Sequence, residues 1–115
     1  MNEKYNIFDS EHTLKILKEI ENNPQVTQRH LAQKIEISLG MINFLIKALL
    51  KKGVIEAQNF KNSKQKLAYM YLLTPEGMKI KLELTRKFFI WKTNEYERLK
   101  KELEDMGKEF KDEIM

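Results

Sequence analysis

The sequence contains no cysteine. That excludes disulfides, thiolate catalysis, cysteine-based zinc sites and thiol redox sensing. Its two histidines, His12 and His30, lie far apart and without clustered acids, so no metal site is expected. There are four glycines, and none belongs to a phosphate-cradling loop. No nucleophile–base set stands out, so neither an enzyme nor a bound cofactor is expected. No apolar run approaches the roughly 20 residues needed to cross a bilayer. The opening "MNEKYNIFDSEH" has neither a basic start nor an apolar core, which argues against a signal peptide. The expectation is a soluble cytoplasmic protein with no membrane association.

What is present is charge and helix-forming sequence. The 115 residues suffice for one domain with one appended element, and 42% are apolar against 33% charged. Net charge is only +4, but it is unevenly spread. Residues 1–23 carry three Lys/Arg against five Asp/Glu, and residues 24–66 carry eight against two. A basic segment of that kind suits a polyanionic partner, although a solvated lysine-rich surface has the same composition.

Residues 1–9 read as an N-terminal arm. Asp9 or Ser10 can cap a first helix that runs to about Asn22 and carries Leu14, Leu17 and Ile20 on one side. "ENNP" at 21–24 ends it. Thr27 caps a short second helix, "QRHLAQKI", which buries Leu31 and Ile35. Only "EIS" precedes a third helix capped by Ser38. Two short helices joined by about three residues form a helix-turn-helix. Gly53 stops the third helix, and "VIEAQNF" (54–60), "KNSKQK" (61–66) and "LAYMYLL" (67–73) read as a hairpin with a basic tip. That order is a winged helix over residues 10–74, with the hairpin as its wing. The predicted fold class is mainly α with a small β-hairpin, a winged helix-turn-helix followed by a long C-terminal dimerisation helix.

"LTPEG" at 73–77 starts that last helix, with Thr74 as cap and Pro75 in the first turn. It spans residues 75–115, either unbroken or interrupted near Gly107. Met78, Leu82, Thr85, Phe89, Lys92, Tyr96, Leu99, Leu103, Met106 and Phe110 recur in alternating steps of four and three. This is a heptad seam, and it predicts a coiled-coil homodimer through Leu82, Phe89, Tyr96, Leu99, Leu103, Met106 and Phe110. Back-packing onto the protein's own first helix is the competing arrangement. Ile80, Leu84, Phe88 and Trp91 widen the apolar face in the first half. Phe88 and Trp91 suit either packing or the lining of an effector pocket.

The stretch "VTQRHLAQKIEISLGMINFLIKALLKKGVIEA", its basic hairpin and "YLLTPEG" resemble the MarR-type winged-helix transcriptional regulators. "SLGMINFLIKALLKKG" and "NFKNSKQKLAYMYLLTPEG" are most similar to the EPS-associated MarR-family subgroup, whose members accompany exopolysaccharide gene clusters. The resemblance covers about residues 10–90. It implies control of transcription at exopolysaccharide genes. Larger members have a longer N-terminal helix, a ligand pocket beside the dimer domain, and an Asp-x-Arg wing signature that falls here on Gln65-Lys66-Leu67.

In a helix-turn-helix the second helix enters the major groove. Taking residues 38–51 as that helix, Gly40, Asn43, Phe44 and Lys47 face outward, with Ser38 at the tip. Asn43 can pair with adenine N6 and N7, and Phe44 can meet thymine methyl groups. Lys47, Lys51, Ser38 and Arg29 suit phosphates, as do Lys61, Lys64 and Lys66 of the wing. Phe44 has two other possible roles: folding over Met41 and Ala48, or docking on a neighbouring molecule. The expected partner is double-stranded DNA with a near-palindromic operator, read by a homodimer. A winged-helix adaptor that docks proteins through Phe44 and Leu39 is the alternative.

Overall fold

The computed structural model describes residues 10–61, 64 and 67–114, and of residues 67 and 110–114 it describes the backbone alone. The N-terminal arm, Lys66 and the Phe110 side chain therefore lie outside the described residues. In chain order the elements are α1 (Glu11–Asn22), α2 (Gln28–Ile35), α3 (Leu39–Lys51), β1 (Ile55–Lys61), β2 (Leu67–Leu73) and α4 (Pro75–Ile114). The fold is mainly helical with one antiparallel hairpin, as the periodicity predicts.

Side-chain caps set the helix starts. Ser10 Oγ accepts from the backbone N–H groups of His12 at 3.0 Å and Thr13 at 3.4 Å. Thr27 Oγ1 accepts from His30 N–H and Ser38 Oγ from Met41 N–H, both at 3.0 Å. Each cap satisfies a donor that has no partner within its own helix, worth about 1 kcal/mol. The α2–α3 turn closes through Glu36, which adopts the left-handed conformation at φ 66°. Its N–H and that of Ile37 both reach the Ala32 carbonyl.

Helix α3 ends in a Schellman arrangement. Gly53, at φ +72°, donates to Leu50 O at 3.1 Å, and Val54 donates to Leu49 O at 2.9 Å. A side chain at Gly53 would have to accept left-handed backbone, so the glycine is there for conformation. The hairpin pairs Ile55 with Leu73 at its base and Lys61 with Leu67 at its tip. Strand β1 begins one residue later than the apolar pattern suggests, because Val54 is spent on the helix stop while still being buried.

The chain forms two compact units, divided between Thr85 and Arg86. In the first, Ile16, Leu17, Ile20, Leu31, Ile42, Leu45, Ile46 and Leu49 form the centre of one core with Val54, Ile55 and Tyr71. Thr13 and Ile16 are fully buried beside the expected Leu14, Leu17 and Ile20. The apolar arc of α1 is wider than its spacing suggests because it packs on both α2 and β2. Tyr71 N–H donates to Pro24 O at 2.8 Å, tying β2 to the loop after α1. At the start of α4, Ile80 packs against the core and Leu84 is buried, while Glu21 pairs with Lys81.

The second unit is helical and begins at Arg86. Phe89, Tyr96, Leu99, Leu103 and Met106 are all more than half exposed there. The Phe88 and Trp91 rings meet edge to face with centroids 6.5 Å apart. Arg98 bonds Glu95 and Glu102, and these partners hold its guanidinium above its usual pKa, Glu95 contributing most. Gly107 does not interrupt α4, which runs on to Ile114. Among the described residues no helix is long and apolar enough to cross a membrane.

Candidate nucleic-acid interface

Four residues bury one side of α3: Ile42, Leu45, Ile46 and Leu49. The opposite side presents what is left over. Phe44 is 54% exposed, so the core does not take it up. Leu39 and Met41 are exposed at the start of the helix. Lys47 and Lys51 follow one and two turns along the same side, both exposed. Arg29, at the start of α2, is exposed as well. Among the described residues Arg29, Lys47 and Lys51 make no ion pair with an acid. Three cations without local counter-charge leave a positive surface beside an apolar one.

Gly40 has no internal reason to be glycine. A Cβ there would meet only Ser38 Oγ at 3.9 Å, an ordinary contact, and the backbone is plain helix. Gly40 with Gln28, Arg29, Leu39 and Asn43 lines a shallow open depression where the starts of α2 and α3 meet. Ser38 uses its oxygen as the cap, which still leaves its hydroxyl proton for an outside acceptor.

Asn43 is only half-exposed, and its amide is engaged. Its Nδ2 donates to Gln28 Oε1 at 3.2 Å, and Gln28 Nε2 in turn donates to the Tyr71 hydroxyl at 3.1 Å. Asn43, Gln28 and Tyr71 come from α3, α2 and β2, so one side-chain chain links the three elements. The sequence pattern does not single out Gln28 or Tyr71 for the site. Their contacts span 15 and 43 residues, and no periodicity encodes such a pairing.

The wing contributes Lys61, exposed at the end of β1, and Lys64, exposed in the turn. Thus α3 gathers Gly40, Asn43, Phe44, Lys47 and Lys51 on one side with Ser38 at its cap, α2 adds Arg29, and the hairpin carries its own lysines. Among the described residues no group of three or more His, Cys, Asp and Glu side chains could hold a metal ion.

A family model described as winged helix-turn-helix DNA-binding matches residues 9–56. None of the curated proteins matches the chain by sequence. Several solved structures share its fold. A candidate transcriptional regulator from Thermoplasma acidophilum superposes with a TM-score of 0.64 at 21% identity, over 81% of this chain and 94% of that one. The adhesin competence repressor of Streptococcus pyogenes gives 0.59 at 24% identity, over 78% and 64%. A MarR family transcription regulator gives 0.57 at 19% identity, over 76% and 56%. The chain therefore spans less than two thirds of the length of the last two. The N-terminal half carries a winged helix-turn-helix, and the arrangement of helices and hairpin is that of these regulators.

Proposed function

We propose that this winged helix belongs to a dimeric, sequence-specific DNA-binding regulator of transcription of the MarR type. The observation that supports it best is the composition of the outward side of α3. An amide, an exposed aromatic ring and two lysines without counter-charge stand on the helix that a helix-turn-helix offers to the major groove. Each has a partner there: Asn43 an adenine edge, Phe44 the thymine methyl, Lys47 and Lys51 the phosphates. Arg29 and the wing lysines extend the phosphate contacts on either side.

The second copy comes from α4. Phe89, Tyr96, Leu99, Leu103 and Met106 follow the heptad and stand exposed in one chain. Full burial of such side chains is worth about 1.5–3 kcal/mol each. Pairing the seams of two copies takes these side chains out of water, which favours association. Two recognition helices then read half-sites about one helical turn apart, which calls for a near-palindromic operator. A role at exopolysaccharide genes rests on the subgroup resemblance alone.

The exposure of Leu39, Met41 and Phe44 favours a second reading, in which α3 docks a protein. Titration of labelled duplex fragments at two salt concentrations separates the two. DNA binding that weakens steeply with salt supports the regulator; no binding even in dilute buffer supports the adaptor.

A further inference from the structure

An exposed asparagine is a poor reader of sequence, because its two torsions let the amide turn in either sense. Asn43 is not left free to turn. It is half-buried, and one of its N–H groups is held by Gln28 Oε1 at 3.2 Å. Gln28 is itself oriented, since its Nε2 donates to the Tyr71 hydroxyl at 3.1 Å. Tyr71 is a fixed end point, 5% exposed, in the core cluster and with its N–H on Pro24 O. The series runs from a buried tyrosine of β2 to the side chain at the surface.

The stoichiometry matters. A primary amide has two N–H groups and one oxygen with two lone pairs. Gln28 takes one N–H of Asn43. The second N–H and Oδ1 remain, the donor–acceptor pair that matches adenine N7 and N6–H. Gln28 and Asn43 both line the depression at the start of α3, beside Gly40, where a base edge has room to approach.

Resting on the DNA-binding reading, we infer that Gln28 is a positioning residue. It holds the Asn43 amide in the orientation that reads an adenine, and Tyr71 anchors it from the wing strand. Specificity at that base pair is set by α2 and β2 as well as by the recognition helix. Arg29, one residue along, contributes affinity and no base preference.

The test uses the full chain and a pool of randomised duplexes, followed by affinity measurements on the preferred duplex and its single-base-pair variants. Asn43→Ala identifies the base pair whose preference depends on the amide, a preference of about 5- to 150-fold in the wild type. Gln28→Met keeps length and volume but removes the strong hydrogen-bonding groups. It is expected to cut the preference at that same base pair about two- to tenfold while sparing the others. Tyr71→Phe is expected to have a smaller effect at the same place, and Gln28→Met to add nothing in the Asn43→Ala background. Gln28→Glu is the rescue. Its carboxylate accepts from Asn43 and from the Tyr71 O–H, so preference returns although the added negative charge lowers affinity overall.

An unchanged preference at that base pair in Gln28→Met overturns the inference. So does a uniform loss at every base pair together with a lower melting temperature, which makes the series a structural tie only. A wild-type chain that selects no duplex from the pool overturns the DNA-binding reading itself, and the inference with it.

Discussion

A Cβ on Gly77 would lie 2.1 Å from the carbonyl oxygen of Val54. No side chain, however small, fits between the first turn of α4 and the start of the wing. The same junction is stitched by Thr74, whose Oγ1 accepts from Gly77 N–H at 3.0 Å and donates to Gly53 O at 2.5 Å. Its N–H also reaches Val54 O at 3.1 Å. The end of α3, the start of the wing and the first turn of α4 therefore meet at one tight joint.

Gly77→Ala should destabilise the first unit by about 1–3 kcal/mol, because backbone on both sides must move. Gly107→Ala is the contrast. A Cβ there meets nothing within 4 Å, and the residue is inside an exposed stretch of α4, so helix stability should rise by about 1 kcal/mol. Denaturant titrations followed by circular dichroism compare the two, and equal effects would contradict the close-approach account.

Phe44→Ala should leave stability within about 0.5 kcal/mol, since the ring is more than half exposed. Its effect should fall on binding, at one thymine. Replacing that thymine by uracil removes the methyl group, and the variant should then bind the two duplexes equally. A uniform loss across sequences, or none, would count against methyl contact.

Lys47→Ala and Lys51→Ala should each weaken binding to all duplexes alike. The slope of log affinity against log salt should flatten by about one per lysine if each neutralises one phosphate. A slope equal to that of the unmodified chain would remove these lysines from the interface.

Leu103→Lys puts a charge into the heptad seam, where the wild-type side chain is 70% exposed in a single chain. The pair should dissociate, halving the mass measured by light scattering, while the near-native helical signal persists. Operator affinity should then fall by orders of magnitude through lost bivalency. An unchanged mass would contradict pairing through this seam.

Local features were the legible ones. Ser10, Thr27, Ser38 and Thr74 cap their helices as their types suggest, because a cap is a contact across two or three residues. The buried side of α3 follows its periodicity residue by residue. Tertiary contacts were less visible. Thr13 and Ile16 are buried because two elements flank α1, which its own spacing does not record. Glu36 shows no sign of its left-handed backbone, since helix-breaking by conformation is usually read from glycine or asparagine. The positions of Arg29, Phe44, Lys47 and Lys51 on the surface were foreseeable from helical phase. The bonding of Asn43 through Gln28 to Tyr71 was not, because the three come together only after the core has formed.

The most direct single measurement is the sedimentation of the 115-residue chain with a duplex selected from a random pool, in dilute buffer. The account predicts a complex of two chains on one duplex that dissociates as salt is raised. A duplex that sediments as if alone, at every protein concentration, would contradict it.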